Sequence, residues 1–188
     1  RSWRLPAASW PAWLWRPGPA PTPGPAFHVR PLTSLTGEER GPSFSPDGDQ
    51  VAFYWDGERG DNTDIYVMRL ADRSLRRLTH HPAEDSSPIW SPDGRTIAFA
   101  RHTGPLSRNA IYLVPAEGGP EREIGVTHGA MFGDWSPDSR WLVIRGGPGL
   151  ELVDAQTGAS RPLVLGEGDA FATPAFSPDG RRIAFTRD

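Results

Sequence analysis

The sequence has no cysteine. That excludes disulfides, thiolate-bound zinc and thiol catalysis, and it removes cysteine usage as a clue to compartment. No uninterrupted apolar run reaches the roughly 18 residues that a spanning helix needs. Charge of one sign is also missing. The chain has 20 basic and 23 acidic residues, a net −3 with a pI near 6.0. No electrostatic footprint for nucleic acid exists on this stretch. Apolar residues at 3.6-residue spacing are absent too, which argues against helical repeats. The catalytic vocabulary is just as thin, with no G-x-S-x-G elbow, no H-E-x-x-H and no Walker loop. Gly166-Glu167-Gly168 lacks the third glycine of a dinucleotide loop. The five histidines (His28, His80, His81, His102, His128) show no ligand spacing. Asp56, Glu58, Asp61 and Asp64 do not follow a calcium loop. Arg59-Gly60-Asp61 sits in a turn-rich loop and is assigned no role. The expectation is therefore no catalytic residue, no metal and no cofactor within the chain.

What is abundant is turn chemistry. The 188 residues include 21 glycines and 21 prolines, against an average near 12% for the two together. Aromatic content of 10% and hydrophobic content of 37% are too high for a disordered chain, so tight turns between strands are the better account. The turns repeat. Ser45-Pro46-Asp47-Gly48 returns as Ser91-Pro92-Asp93-Gly94, as Ser136-Pro137-Asp138-Ser139 and as Ser177-Pro178-Asp179-Gly180. An aromatic precedes each serine: Phe44, Trp90, Trp135, Phe176. Proline stands three residues before it at Pro42, Pro88 and Pro174, with Gly133 in the third copy. Apolar pairs follow at Val51/Phe53, Ile97/Phe99, Leu142/Ile144 and Ile183/Phe185.

Each copy reads as four short strands. The first ends at the aromatic, and proline presets the turn that leads into the second. There the apolar pair, two residues apart, shares one face. A third strand is expected at 65–67, 111–113 and 150–152, and a fourth at 74–79, 121–126 and 161–165. Four strands per 40–45 residues is the period of a propeller blade. The fold class is thus all-β, a β-propeller of four-stranded antiparallel blades with about three and a half blades present, part of a ring of about six to eight. The repeats lie near 40–80, 86–126, 132–165 and 173–188, within a propeller region of 27–188. Residues 28–34 align with the fourth strand of a blade and are expected as a closing strand.

Residues 1–26 differ in kind, with seven prolines and four tryptophans (Trp3, Trp10, Trp13, Trp15). Arg16 through Pro25 reads as an extended linker. The apolar 5–15 stretch reads either as an unstructured tail or as juxtamembrane sequence.

The repeated pattern of aromatic-Ser-Pro-Asp-Gly (Phe44–Gly48), apolar-Ala-Phe (Val51–Phe53), Asp-Ile-Tyr-Val (Asp64–Val67) and Arg-Leu-Thr (Arg77–Thr79) resembles the Pro-Asp, WD-repeat-like propellers of the TolB type. The third copy departs from it at Ser139. The resemblance covers 28–188 and implies a non-catalytic binding or sensing module with a protein or peptide partner. It looks most like the periplasmic half of a regulator tethered to the inner membrane, carrying a serine/threonine kinase or winged-helix domain. The alternatives it leaves are the gating propeller of a prolyl-oligopeptidase-like peptidase and an envelope scaffold like TolB itself.

Two sets of acids recur. Asp47, Asp93, Asp138 and Asp179 are expected to bond their own turns. Glu38, Glu39, Glu84, Asp85 and Asp169 precede innermost strands and are expected near one mouth of the channel. They are either solvated loop charge or a carboxylate ring for a basic peptide or a cation.

Overall fold

The computed structural model describes residues 29–104, 108–128, 133–146, 149–165 and 171–187. Residues 1–26 and Asp169 therefore lie outside the described residues. The Ser-Pro-Asp turns organise everything else. In each, the residue after aspartate donates its N–H to the serine carbonyl at 2.8–2.9 Å. The serine hydroxyl donates to the aspartate carboxylate at 2.5–2.6 Å, and that carboxylate accepts the N–H two residues on. The same hydroxyl oxygen accepts the N–H five residues on, at or just before the start of the next strand. The hydroxyl donors hold the Asp47, Asp138 and Asp179 carboxyls below the ordinary value. At Asp93 burial pushes the other way, and Ser91 with the Arg95 N–H outweighs it. A depressed carboxylate stabilises the fold above its unfolded pKa and loses that contribution as pH falls, so acid loosens these turns.

Each turn joins the first two strands of a blade. Blade one is β1 (Glu39–Phe44), β2 (Gln50–Trp55), β3 (Asp64–Arg69) and β4 (Leu75–Arg77). Blade two is β5 (Asp85–Trp90), β6 (Thr96–His102), β7 (Arg108–Pro115) and β8 (Arg122–His128). Blade three is β9 (Asp134–Trp135), β10 (Trp141–Gly146), β11 (Gly149–Asp154) and β12 (Ser160–Leu165). β13 (Phe171–Phe176) and β14 (Ile183–Arg187) form a two-stranded sheet. All ladders are antiparallel between sequential neighbours, and no helix occurs among the described residues. The strands expected from the repeat are the strands found. The exception is 28–34, since residues 29–34 carry no strand.

The core lies between blades. Two faces of one strand explain why. On β6, Ile97 and Phe99 point to blade one, where they meet Ala52, Ile65, Val67 and Leu78 together with Trp90. Ala98 and Ala100 point the other way and receive Trp135, Leu142 and Ile144 of blade three. A bulky face therefore packs on a small one, at about 1.5–3 kcal/mol per large side chain buried. Hydrogen bonds add to this along the inner strands. Ser43 Oγ accepts the Trp90 N–H at 3.2 Å, and Asp134 Oδ2 accepts that of Phe176 at 2.7 Å. At Gly133 a Cβ would stand 2.6 Å from the Val143 carbonyl oxygen, so the third copy has no room there for a side chain.

Ser139 shows how the third turn manages without glycine. Gly48, Gly94 and Gly180 have φ of 78°, 74° and 68°, and Ser139 adopts 59°. Its hydroxyl oxygen accepts the Asp93 N–H of the preceding blade at 3.0 Å, a bond glycine could not make. Ser139→Ala keeps the strain and loses the bond, so it should cost about 1 kcal/mol. Ser139→Gly loses the bond and the strain together and should be close to neutral. Urea midpoints of the two variants check this, and equal midpoints would refute it.

Candidate functional site

The inner strands β1, β5, β9 and β13 all begin at the same end of the blade stack, because each blade repeats one antiparallel order. The Ser-Pro-Asp turns lie at the opposite end. The residues that precede or start inner strands thus share one rim. Glu38 is exposed there and pairs with Arg40 at 2.5 Å. Its N–H donates to Asp56 at 2.9 Å, and the adjacent Thr36 carbonyl accepts from the Trp55 indole at 2.8 Å, which fixes the approach to β1. Glu39 is half-buried and Glu84 exposed. The Glu84 carbonyl accepts the His102 N–H at 2.8 Å, holding it over the end of β6.

Asp85 is placed otherwise. It is fully buried, and Arg101 grips it with two bonds of 2.7 and 2.8 Å. Side chains alternate along a strand, so Glu84 faces solvent and its neighbour turns inward. With its charge answered inside, Asp85 is withdrawn from the acids that solvent can reach. Arg101, itself 4% exposed, also meets Glu121 at 2.7 Å and lies 4.5 Å from the Tyr112 ring centroid. On the blade-one side of the interface Asp64 pairs with Arg77 at 2.5 Å, and the Thr79 hydroxyl stands between Asp64 and Asp85. Burial pushes the Asp64 and Asp85 carboxyls above the ordinary value, against the pull of their arginines. Burial would favour loss of the Arg101 proton, but its bonds to Asp85 and Glu121 outweigh that and hold it charged.

The rim also carries left-handed backbone. Gly41, Ser87 and Thr173 have φ of 60°, 54° and 47°, and the register slips beside each of them. Each precedes the proline of its repeat. A bulge of this kind re-aims side chains.

No group of three or more His, Cys, Asp or Glu is arranged for a metal among the described residues. Nor is any helix there long and apolar enough to cross a membrane. Two clefts open between blades, of about 610 Å³ between blade three and β13–β14 and about 310 Å³ between blades two and three. The sequence reading missed Arg101 and Glu121. Arg101 has no arginine counterpart at Trp55 or Gly146 and finds one only at Arg187 of the fourth copy, so the complete blades do not signal it.

A family model described as the TolB beta propeller domain matches residues 28–188. The Tol-Pal system protein TolB of Francisella tularensis subsp. mediasiatica is 33% identical over 164 residues, covering 84% of this chain and 37% of that protein. The chain thus spans little more than a third of that relative. A solved TolB structure from Agrobacterium tumefaciens superposes with a TM-score of 0.68 at 27% identity, covering 83% of this chain and 56% of that one. A puromycin hydrolase structure shares the fold at TM-score 0.58 and 22% identity, covering 76% of this chain and 26% of that one.

Proposed function

The chain belongs to the TolB β-propeller family, and from that premise we propose that it is a non-catalytic binding module of the bacterial envelope, working in the periplasm on a protein or peptide partner. One observation carries the reading: among the described residues the buried hydroxyl, amide and charged side chains are taken up by bonds within and between the blades. Ser45, Ser91 and Ser136 serve their turns. Asp64 accepts from Arg77 and Asp85 from Arg101, and Thr127 donates to the Arg145 carbonyl. Asn109 meets His102, and Asp154 accepts the Gln156 and Thr157 N–H groups. Such a scaffold leaves chemistry to its loops. Recognition falls to the rim where inner strands start, with Glu38, Glu39 and Glu84 and the bulges beside them; Asp169 belongs to the same sequence set. The Francisella tularensis relative is a Tol-Pal system protein, and a partner from such a system is the one to try first.

The test is calorimetric titration of the purified chain with each soluble component of a Tol-Pal system. Micromolar or tighter binding is expected, weakened about fivefold by Glu38→Gln with Glu84→Gln. No heat with any component would overturn the reading. A second reading rests on residues 1–26. Four tryptophans and seven prolines ahead of the propeller favour the extracytoplasmic half of a membrane-tethered kinase or winged-helix regulator. Partitioning of the purified chain onto lipid vesicles, lost on deletion of residues 1–15, is its expected result.

A further inference from the structure

Arginine recurs in the fourth strands, as Arg76 in β4, Arg122 in β8 and Arg161 in β12. The first two reach across to the blade that follows. Arg76 Nη2 donates to the Ala116 carbonyl at 2.7 Å, and Arg122 Nη2 donates to the Ala155 carbonyl. Each alanine comes directly after its blade's third strand. Each also donates its own N–H at 2.8 Å to a turn carbonyl, that of Arg95 for Ala116 and of Arg140 for Ala155. To this point the two interfaces follow one plan, and they part at the next residue. Glu117 follows Ala116, and its carboxylate stands 3.8 Å from the Arg76 guanidinium. Gln156 follows Ala155. The exposed Arg122 therefore lacks the counter-charge that Arg76 has, and no acid pairs with it among the described residues.

Space opens at the same place. The ladders set Gln50 opposite Arg69 in blade one and Thr96 opposite Pro115 in blade two. Two long side chains are thus replaced by two short ones, and beside them lies the 310 Å³ cleft between blades two and three. Both of those blades have all four strands, so the cleft is a property of the interface itself. Its apolar lining includes Leu113 and Trp135, only 7% and 4% exposed, together with Pro115 and Pro120. Its polar lining includes Arg122, Gln156 and Ser139. The Ser139 hydroxyl oxygen accepts the Asp93 N–H, which leaves its own O–H to donate.

We propose that this cleft binds a carboxylate carried on a branched apolar body, in the role that Glu117 fills for Arg76. A guanidinium has five N–H donors, and the bond to Ala155 occupies one of them. The ligand carboxylate pairs with the others, a charge-assisted contact in a partly dry setting. Ser139 and Gln156 offer further donors, and the prolines with Leu113 and Trp135 receive the apolar body. The volume is at the small end of the roughly 300–1,000 Å³ usual for ligand pockets, which suits one C-terminal apolar residue or a free acid of that size. The cleft is at the turn end of the blades, remote from the rim acids, and binding at either place is independent of the other.

The probe is a fluorescein-labelled pentapeptide ending in Ala-Leu with a free carboxylate, read by fluorescence anisotropy against the full chain. Saturable binding at about 100 µM or tighter is expected. The same peptide as its C-terminal amide should bind about tenfold more weakly. Gln156→Glu gives Arg122 the internal acid that Arg76 already has, so it should weaken the acid peptide about tenfold while the urea midpoint holds. That variant keeps the Arg122 bond to Ala155, so the loss reports competition for the charge and not a loosened interface. Competition with N-acetyl-leucine identifies the source. Displacement shows that a free small acid suffices, and its absence assigns the cleft to a peptide terminus. The proposal is overturned by no saturable binding, by equal affinity for acid and amide peptides, or by full affinity in Gln156→Glu.

Discussion

Arg101→Met lowers the stability of the chain by about 3–5 kcal/mol, seen as a fall of about 1–3 M in the urea midpoint. The loss is large because the guanidinium answers two acids at once, Asp85 with no exposed surface and the part-buried Glu121. Methionine keeps most of the volume between Phe99 and Tyr112 and leaves both carboxylates without a counter-charge. The expense is that of a stranded charge, so it can be relieved from the other side. Adding Asp85→Leu and Glu121→Gln to the methionine variant should recover most of the loss. The pH dependence has a definite sign. Burial raises the folded Asp85 pKa, so the folded state binds its proton more readily than the unfolded state does. The penalty on the ionised acid is present above the folded pKa and fades as pH falls through it. Arg101→Met should therefore be less damaging at pH 5 than at pH 8. Equal losses at both would show that the effect is packing alone.

Phe99→Ala should cost about 3–5 kcal/mol, a full cavity in the interface of blades one and two. Phe185→Ala, at the matching column of the fourth repeat, should cost about 1 kcal/mol or less, because its side chain keeps 40% of its surface in water and Phe99 keeps none. The pair isolates burial from sequence, since both phenylalanines follow an alanine two residues after an isoleucine. Similar urea midpoints for the two variants would mean that the blade faces are not where the stability resides.

The repeat makes most of this architecture legible in the sequence. Proline at a turn position, an aromatic ahead of it and an apolar pair after it are local demands, and they locate strands within about three residues. The rim was harder to read. Glu84 and Asp85 are adjacent acids with the same chemistry, and only the pleat separates the wet one from the buried one. The prolines at 42, 88 and 174 were visible as a column, but the left-handed residue before each depends on the register slip between two strands. Arg101 was invisible for a different reason: its partners come from three strands, and no other copy carries an arginine and an acid at those places among the complete blades. The fourth-strand arginines stood in a column all along, but their role needed the next blade's backbone to give it meaning.

The alternation of a bulky face with a small one gives the stack a direction. A blade offers one surface to the neighbour before it and a different surface to the neighbour after it, so the contact is head-to-tail and never self-matching. A gene segment encoding one blade therefore carries both halves of its own interface. Copying it inserts a unit that fits on either side without any change to its neighbours, and losing it lets the flanking units meet on equal terms. The chemistry of the faces is indifferent to how many units are present. The angle between successive blades alone decides at what number such a chain returns to its start.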